Sequence, residues 1–502
     1  MKKRIVSRII NYSLSLLLLM KKANHPIPVI IILGFCFISL VFNFHSQTLN
    51  MWDEATYANN AIDMMKNPSI VVKHKGEIDL YNTKPPLVIT LQAIAMKVFG
   101  INTFAVRLPS IIFSICTVFL LYIYAQRWFK NPWIGLGSAL ILLATAGFIR
   151  NHIALTGDLD AALCFFLTAG FLHGTQLVMH KKTSLAPMLL FGVLLILGFY
   201  TKGIASFFHM PAIFVLALIY HPKVFAQIKL YLIAILVLGI CGVYYYLREQ
   251  AAPGYMQVVF DSEFSRVNNV VMNWQTRPFS FYIDNFINGY FTPWLYLFPL
   301  GLTLFYKPKT YGKIALALVI GIFFYFLLIS YPKVKLDWYD APLYPLLALF
   351  LGISLFHVLS ILIKNKKIKE RVYVVLILAI ATPNFIEIIK TKLNTGQQIE
   401  ALEYEGYFLD KIGKMKVSNK KITIYNKEQD KEHNDHVVFY ERAMQELQYE
   451  IKYKVKPDFD LLETVLVSQD NLKQKMDSLY QYKVLLQDEV TGSELRLIKK
   501  RK

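Results

Sequence analysis

The chain reads as a polytopic α-helical membrane protein, with about eleven transmembrane helices and a small C-terminal α/β soluble domain on the outer face. Three observations predict this. Of 502 residues, 55% are hydrophobic and only 18% charged, with a mean hydropathy of +0.40, which is too apolar for a soluble chain of this length. Apolar runs long enough to cross a bilayer recur through residues 27–389, and composition then turns polar and charged over 390–502.

Residues 1–26 hold a 12-residue apolar run, IINYSLSLLLLM, between MKKR and KK. The run is too short to span and lacks a small-residue cleavage site, so a cytoplasmic in-plane amphipathic segment is expected. Spans are expected near 27–45, 105–125, 133–149, 160–179, 185–199, 204–220, 229–247, 291–306, 313–331, 338–361 and 371–389. With the N-terminus inside, the connectors QRWFKN, HKKTS, HPKVFAQIK, YKPKTYGK and IKNKKIKER all fall on the cytoplasmic side, and each carries lysine or arginine. Orientation thus accounts for the net charge of +20, and nucleic acid is excluded as a partner. The same assignment gathers loop 46–104, RNHIALTGDLD, YTKG, loop 248–290 and SYPKVKLDWYD on the outer side. In residues 390–502, KITIYN and TVLVSQD read as strands, DNLKQKMDSLYQY as a helix and LRLIKKRK as a solvated tail.

The chemistry-bearing residues lie in those outer segments. Loop 46–104 is too long for a plain connector, and its stretches DEATYANNAIDMMKN and PPLVITLQAIAMKVFG read as surface helices on either side of YNTKPPL. Asp53 would start the first helix, where a carboxylate can simply cap free N–H groups. Its company suggests more. Asp158 and Asp160 open a span, and Lys84, Lys202, Arg266, Lys333 and Lys335 approach from other outer segments. Any one lysine at a membrane boundary reads equally well as a snorkelling anchor, but cations from several segments beside carboxylates suit sugar transfer from a phosphate leaving group. Outside the membrane there is no nucleotide-sugar pool, so the donor would be a lipid-linked sugar. Other polar residues are read as structural: His209 and His357 on apolar runs, and the aromatic clusters VYYYL and YFTPWLYLFPL as interfacial belts. Cys36, Cys116, Cys164 and Cys241 lie in apolar segments with neither a disulfide nor a zinc spacing.

The set WDEATYA, YNTKPPL, NTFAVRLPS, TGDLDAAL, FYTKG and KLDWYDAPLYPLLAL resembles the GT-C superfamily of polyprenyl-phosphate-dependent glycosyltransferases. Within it, the motifs are most similar to the lipid A aminoarabinose transferases and, more distantly, to the protein O-mannosyltransferases. The resemblance covers residues 27 to about 360. It implies a GT-C transmembrane catalytic domain over 27–389 and a periplasmic α/β domain over 390–502 in the bacterial inner membrane. It further implies that Asp53 is the catalytic or site-organising acid, Glu54 its companion and Asp158 a second acid. Tyr81, Lys84, Lys202, Arg266, Lys335 and Tyr339 match positions near the donor phosphate. The partners implied are an undecaprenyl-phosphate-linked sugar and an acceptor that is lipid A, another glycolipid or a protein, with membrane lipids around them. In the aminoarabinose branch a glutamate and a histidine look like metal ligands where this chain has Thr83 and Phe264, and Thr56 replaces an arginine. No cofactor is therefore expected, apart from a labile divalent metal ion recruited by Glu263 or the paired acids.

Two other readings compete. A transporter or flippase of lipid-linked sugars would share the size and the basic groups, but it should place ionisable residues near mid-span and show two related halves. A membrane-anchored assembly protein would leave the acidic and basic outer loops without a role.

Overall fold

The computed structural model describes the chain except for residues 1–25, 45–46, 81, 151, 182–183, 269–275, 306–309, 394–398, 400–402 and 427–433, and the side chains of 264–268 and 310. The expected in-plane segment therefore falls almost wholly outside the described residues. Among the described residues, seven helices are long and apolar enough to cross a membrane: Thr103–Phe129, Asp160–Met179, Leu185–Phe207, Ile228–Ala251, Tyr311–Ser330, Asp337–Leu362 and Lys366–Leu393. Four shorter apolar helices, Pro26–Val41, Pro132–Leu143, Met210–Tyr220 and Trp294–Phe305, overlap the remaining expected spans. The chain is a multi-pass membrane protein.

Local chemistry explains several boundaries. Asn102 caps the Thr103–Phe129 helix by accepting from the Ala105 N–H, and Asn131 caps Pro132–Leu143 by accepting from Trp133 N–H, with proline in the first turn where its missing donor costs nothing. A helix of 12 residues rises only about 18 Å, short of a hydrocarbon core of about 30 Å. The shortness of Pro132–Leu143 is tolerated because eleven of its residues are buried, so protein and not lipid surrounds its ends. Gly137 lets the Lys366–Leu393 helix approach: a Cβ there would lie 2.0 Å from the Tyr373 hydroxyl.

In loop 46–104, Asp53–Lys66 and Leu87–Phe99 are helices, joined through a hairpin of β1 (Lys73–His74) and β2 (Glu77–Ile78) that turns at Gly76, φ +89°. The C-terminal region forms a five-stranded mixed sheet from β3 (Lys421–Tyr425), β4 (Glu450–Lys454), β5 (Thr464–Val467), β6 (Tyr480–Gln487) and β7 (Glu494–Arg501), in the order β4-β3-β5-β7-β6. β3 pairs in parallel with β4 and β5, whereas β7 runs antiparallel to β5 and β6. The supposed solvated tail LRLIKKRK is thus an interior strand. Leu495 and Ile498 are fully buried in it, and the apolar half of the segment outweighs the lysines that extend beyond the sheet's core.

The sheet region is fastened to loop 46–104. Tyr440 in the Asp435–Glu446 helix accepts the Leu49 N–H at 3.0 Å, Glu403 accepts the Met51 N–H at 2.9 Å, and Arg442 pairs with Asp63 at 3.3 Å. Asp435 accepts from the Thr56 hydroxyl at 2.7 Å and pairs with His74 and Lys75, each at 3.0 Å. These contacts hold the Asp435 carboxyl well below the usual carboxylate range: burial opposes the shift, and hydrogen bonds from His74 and Thr56 overcome it.

Candidate active site

Successive side chains on a helix diverge by about 100°, so neighbouring acids need not face the same way. Trp52 occupies the cap position of the Asp53–Lys66 helix and there is no side-chain cap bond, so the capping role available to Asp53 is not taken up. Asp53 instead opens on a cavity of about 450 Å³ whose wall also includes Tyr57, His74, Lys84, Lys202, Tyr339 and Asp435. Glu54 turns into the protein. It is fully buried, receives Arg107 Nε at 2.7 Å and Nη2 at 2.9 Å, and accepts the N–H groups of Gly157 at 2.7 Å and Asn50 at 2.8 Å. The expected pairing of Glu54 with Asp53 in the site is corrected accordingly, since its lone pairs are occupied by structure.

Asp158 comes from the turn before the Asp160–Met179 helix. Donor and acceptor atoms of Asp53, His152 and Asp158 lie within 4.8 Å of one another. Asp158 accepts from the Thr156 hydroxyl and faces His152 Nδ1 at 3.5 Å, while the His152 ring stacks on Trp338 with centroids 3.8 Å apart and planes 9° from parallel. Asp53 is exposed towards the cavity, yet the protein packed around it desolvates its carboxyl and raises it above its ordinary range, and the Asp158 charge raises it further. Burial would raise Asp158 too, but the close approach and charge of His152, with the hydrogen bond from Thr156, outweigh it and hold Asp158 below the ordinary value. His152 is pushed up in turn, as Asp158 more than offsets its desolvation. The pair is thus biased towards carboxylate and imidazolium, and Asp53 towards accepting a proton.

The cations divide. Lys202 lies 2.6 and 2.7 Å from the two oxygens of Asp160 and 5.5 Å from the Tyr339 ring centroid, at the cavity wall. Lys84, also on the wall, pairs with Glu263. Its loop is set by Asp79 and Asn82: Asp79 accepts the Asn82 N–H at 2.9 Å, and Asn82 Oδ1 accepts the Lys84 N–H at 3.1 Å. Lys335 does not reach the cavity. Its ammonium is buried against the backbone carbonyls of Arg277 and Pro332, which uses its donors locally, and desolvation lowers its pKa. Tyr81 and the Arg266 side chain lie outside the described residues.

A second cavity, of about 440 Å³, lies beside the first and shares Trp338 with it. Its lining includes Arg150, His152, Gln47 and Lys392, so His152 borders one space while Asp53 borders the other. Arg150 is held by Asp340 at 2.8 Å and sits 4.1 Å from the Tyr290 ring centroid. Sequence reasoning passed over His152, Arg150 and Asp435. The first two stand in RNHIALTGDLD, the same turn as Asp158, where a polar cluster before a span was the available signal. Asp435 had none, because its partners are 361 and 379 residues away in sequence.

A divalent ion fits the Asp53, His152 and Asp158 atoms by donor type, two carboxylates and an imidazole, and would displace the proton of His152, since an imidazolium has no lone pair to offer a metal. Thr83 offers no carboxylate or imidazole, and Glu263 is engaged with Lys84.

A multi-pass membrane protein with an acid-lined cavity assembled from the loops at one end of its helices has the architecture of a GT-C glycosyltransferase, and the chain has that fold. It superposes on ArnT from Cupriavidus metallidurans bound to undecaprenyl phosphate with a TM-score of 0.65 and 16% identity, over 94% of this chain and 97% of that one. The oligosaccharyltransferase of Archaeoglobus fulgidus, tethered to an acceptor peptide, gives a TM-score of 0.51 and 11% identity over 95% of this chain and 74% of that one. Residues 83–246 match the family model described as dolichyl-phosphate-mannose-protein mannosyltransferase. In sequence the chain is similar to the undecaprenyl phosphate-alpha-4-amino-4-deoxy-L-arabinose arabinosyl transferase 2 of Proteus mirabilis, 26% identical over 65% of this chain and 59% of that protein. A protein of Aquifex aeolicus is 29% identical over 61% of this chain and 60% of its own length. The match thus spans about three-fifths of each of these relatives. The resemblance carried by the motifs holds in both sequence and fold.

Proposed function

We propose that this protein is a glycosyltransferase of the inner membrane. It moves a sugar from an undecaprenyl-phosphate-linked donor to an acceptor on the outer face, the acceptor being lipid A, another glycolipid or a protein. The observation that carries this reading is the position of Asp53: beside Asp158 and His152, open to a cavity edged by Lys84 and Lys202, with a second cavity across His152 and Trp338. A donor phosphate beside the two lysines would leave the sugar's anomeric carbon facing Asp53. Asp53 takes the acceptor hydroxyl proton, and the acceptor oxygen forms the new bond to that carbon. The bond to the phosphate oxygen breaks with its electron pair, and Lys84 and Lys202 stabilise the polyprenyl phosphate that leaves. Asp158, held ionised by His152, orients the acceptor. A divalent ion bound at the acids would supply further stabilisation of developing charge.

The ionisable groups cluster at one end of the helices, which favours this reading over a transporter. Mass spectrometry of envelope lipids and glycoproteins from cells with and without the protein tests it. One missing glycoform, restored by wild type and not by Asp53→Asn, is expected, and identical profiles with and without the protein would refute it.

A further inference from the structure

A third cavity, of about 500 Å³, lies at the far ends of the helices from Asp53. The Asp160–Met179 helix starts at the acid cluster and ends here, about 30 Å away at 1.5 Å per residue. The wall carries Arg127 and Lys130 from the end of the Thr103–Phe129 helix and His180 from the end of Asp160–Met179, with no carboxylate among its lining residues. No ion pair among the described residues involves these three. Helix C-termini and the positive-inside rule explain why basic residues gather at such a place. They do not explain a cavity.

The floor of that cavity is polar and organised. Gln176 is 6% exposed, and its Oε1 accepts the Trp128 Nε1–H at 2.6 Å, which leaves its amide N–H groups as donors. His173 is held between the Tyr124 hydroxyl at 3.3 Å and the Pro187 carbonyl at 2.8 Å. Beside it, sharing Leu177, lies a separate slot of about 220 Å³ walled almost wholly by apolar side chains, among them Met188, Phe191 and Ile213. Cations and amide donors at the end of the spans, next to an apolar slot running into them, match a phosphate head with an attached acyl chain.

We propose that this cavity binds an anionic glycerophospholipid of the leaflet opposite the Asp53 site, its phosphate on Arg127, Lys130 and Gln176 and one chain in the Leu177 slot. The site is independent of the glycosyl-transfer reading. It would fix the packing of three helices, two of which place Asp160 and Lys202 at their other ends.

The test is native mass spectrometry of the full chain, delipidated in detergent and titrated with phosphatidylglycerol. Wild type should retain the lipid, and the Arg127→Gln/Lys130→Gln variant should bind it at least about tenfold more weakly, at about 1 kcal/mol for each basic residue. The Lys364→Gln/Lys367→Gln variant, which removes the same charge from another basic connector, should bind as wild type does. Comparable loss in both variants would show a diffuse surface potential and overturn the proposal. Competition by inorganic phosphate, or tighter binding of undecaprenyl phosphate than of phosphatidylglycerol, would equally overturn it. Melting temperatures of both variants accompany the titration, so that a misfolded protein is not scored as a lost site.

Discussion

Asp53 and Glu54 are adjacent, are both acidic and begin the same helix, yet they live in opposite surroundings. Glu54 is sealed from solvent and holds Arg107 together with the Gly157 N–H, so it ties loop 46–104 to the turn that carries Asp158. Asp53 opens on a cavity, and burial and Asp158 raise its pKa. One carboxylate has all its lone-pair directions occupied and the other keeps them available. A chemical role requires the second condition, and a fixed distance between the loops that carry Asp53 and Asp158 requires the first.

The contrast breaks most sharply at Asp53. Asp53→Asn should lower single-turnover transfer by about two to four decades, the range for losing a positioned acid–base group, with unchanged melting temperature. Turnover near wild type would remove Asp53 from the chemistry. Glu54→Gln should do the reverse. It leaves the Arg107 charge buried without its counter-ion, and breaking such a pair costs about 3–5 kcal/mol, visible as a lower melting temperature and poor yield. Loss of activity from Glu54→Gln at full stability would erase the distinction between the two acids.

Smaller effects sharpen the picture on the donor side. Lys84→Ala and Lys202→Ala should each weaken lipid-linked donor binding by about 1.5–3 kcal/mol, the scale of a hydrogen bond to a charged group. Lys335→Ala should leave donor affinity unchanged, because its ammonium serves its own loop. The smallest effect belongs to Asp435. Its pKa is lowered in the folded protein, so its contribution to docking is complete above about pH 4 and is lost as pH falls through the depressed value. Corrected for the intrinsic rate at each pH, amide exchange at His74 should therefore stay slow at pH 5 and quicken below pH 3. Asp435→Asn should quicken it at pH 5 by about tenfold, and equal protection in wild type and variant would show that the fastening lies elsewhere.

Spacing and hydropathy made the membrane helices legible because a bilayer imposes a length on any apolar run. That Asp53, Lys84 and Lys202 lie together on one cavity wall was legible because polar residues in the loops between spans stand out against that background. Glu54 and Lys335 were misdirected for one reason: a linear motif records adjacency and not the angle at which a side chain leaves the backbone. His152 was hidden as one more polar residue in a short turn, and its meaning depends on Trp338, 186 residues later, against which its ring lies flat. The β7 strand was misread because its lysines dominate composition, whereas Leu495 and Ile498 decide burial.

The anchoring of Asp435 also sets a schedule. Asp53 and Asp435, both on the wall of one cavity, are separated by 382 residues of chain. At about 5–20 residues per second, a ribosome that has made the first needs roughly 20–80 s to make the second. During that interval the Asp53–Lys66 helix has no Asp435–Glu446 helix to rest on, Thr56 and His74 lack their acceptor, and one wall of the cavity is missing. The pocket is finished only once the Asp435–Glu446 helix has been made, so the emergence of that helix is itself the step that closes it.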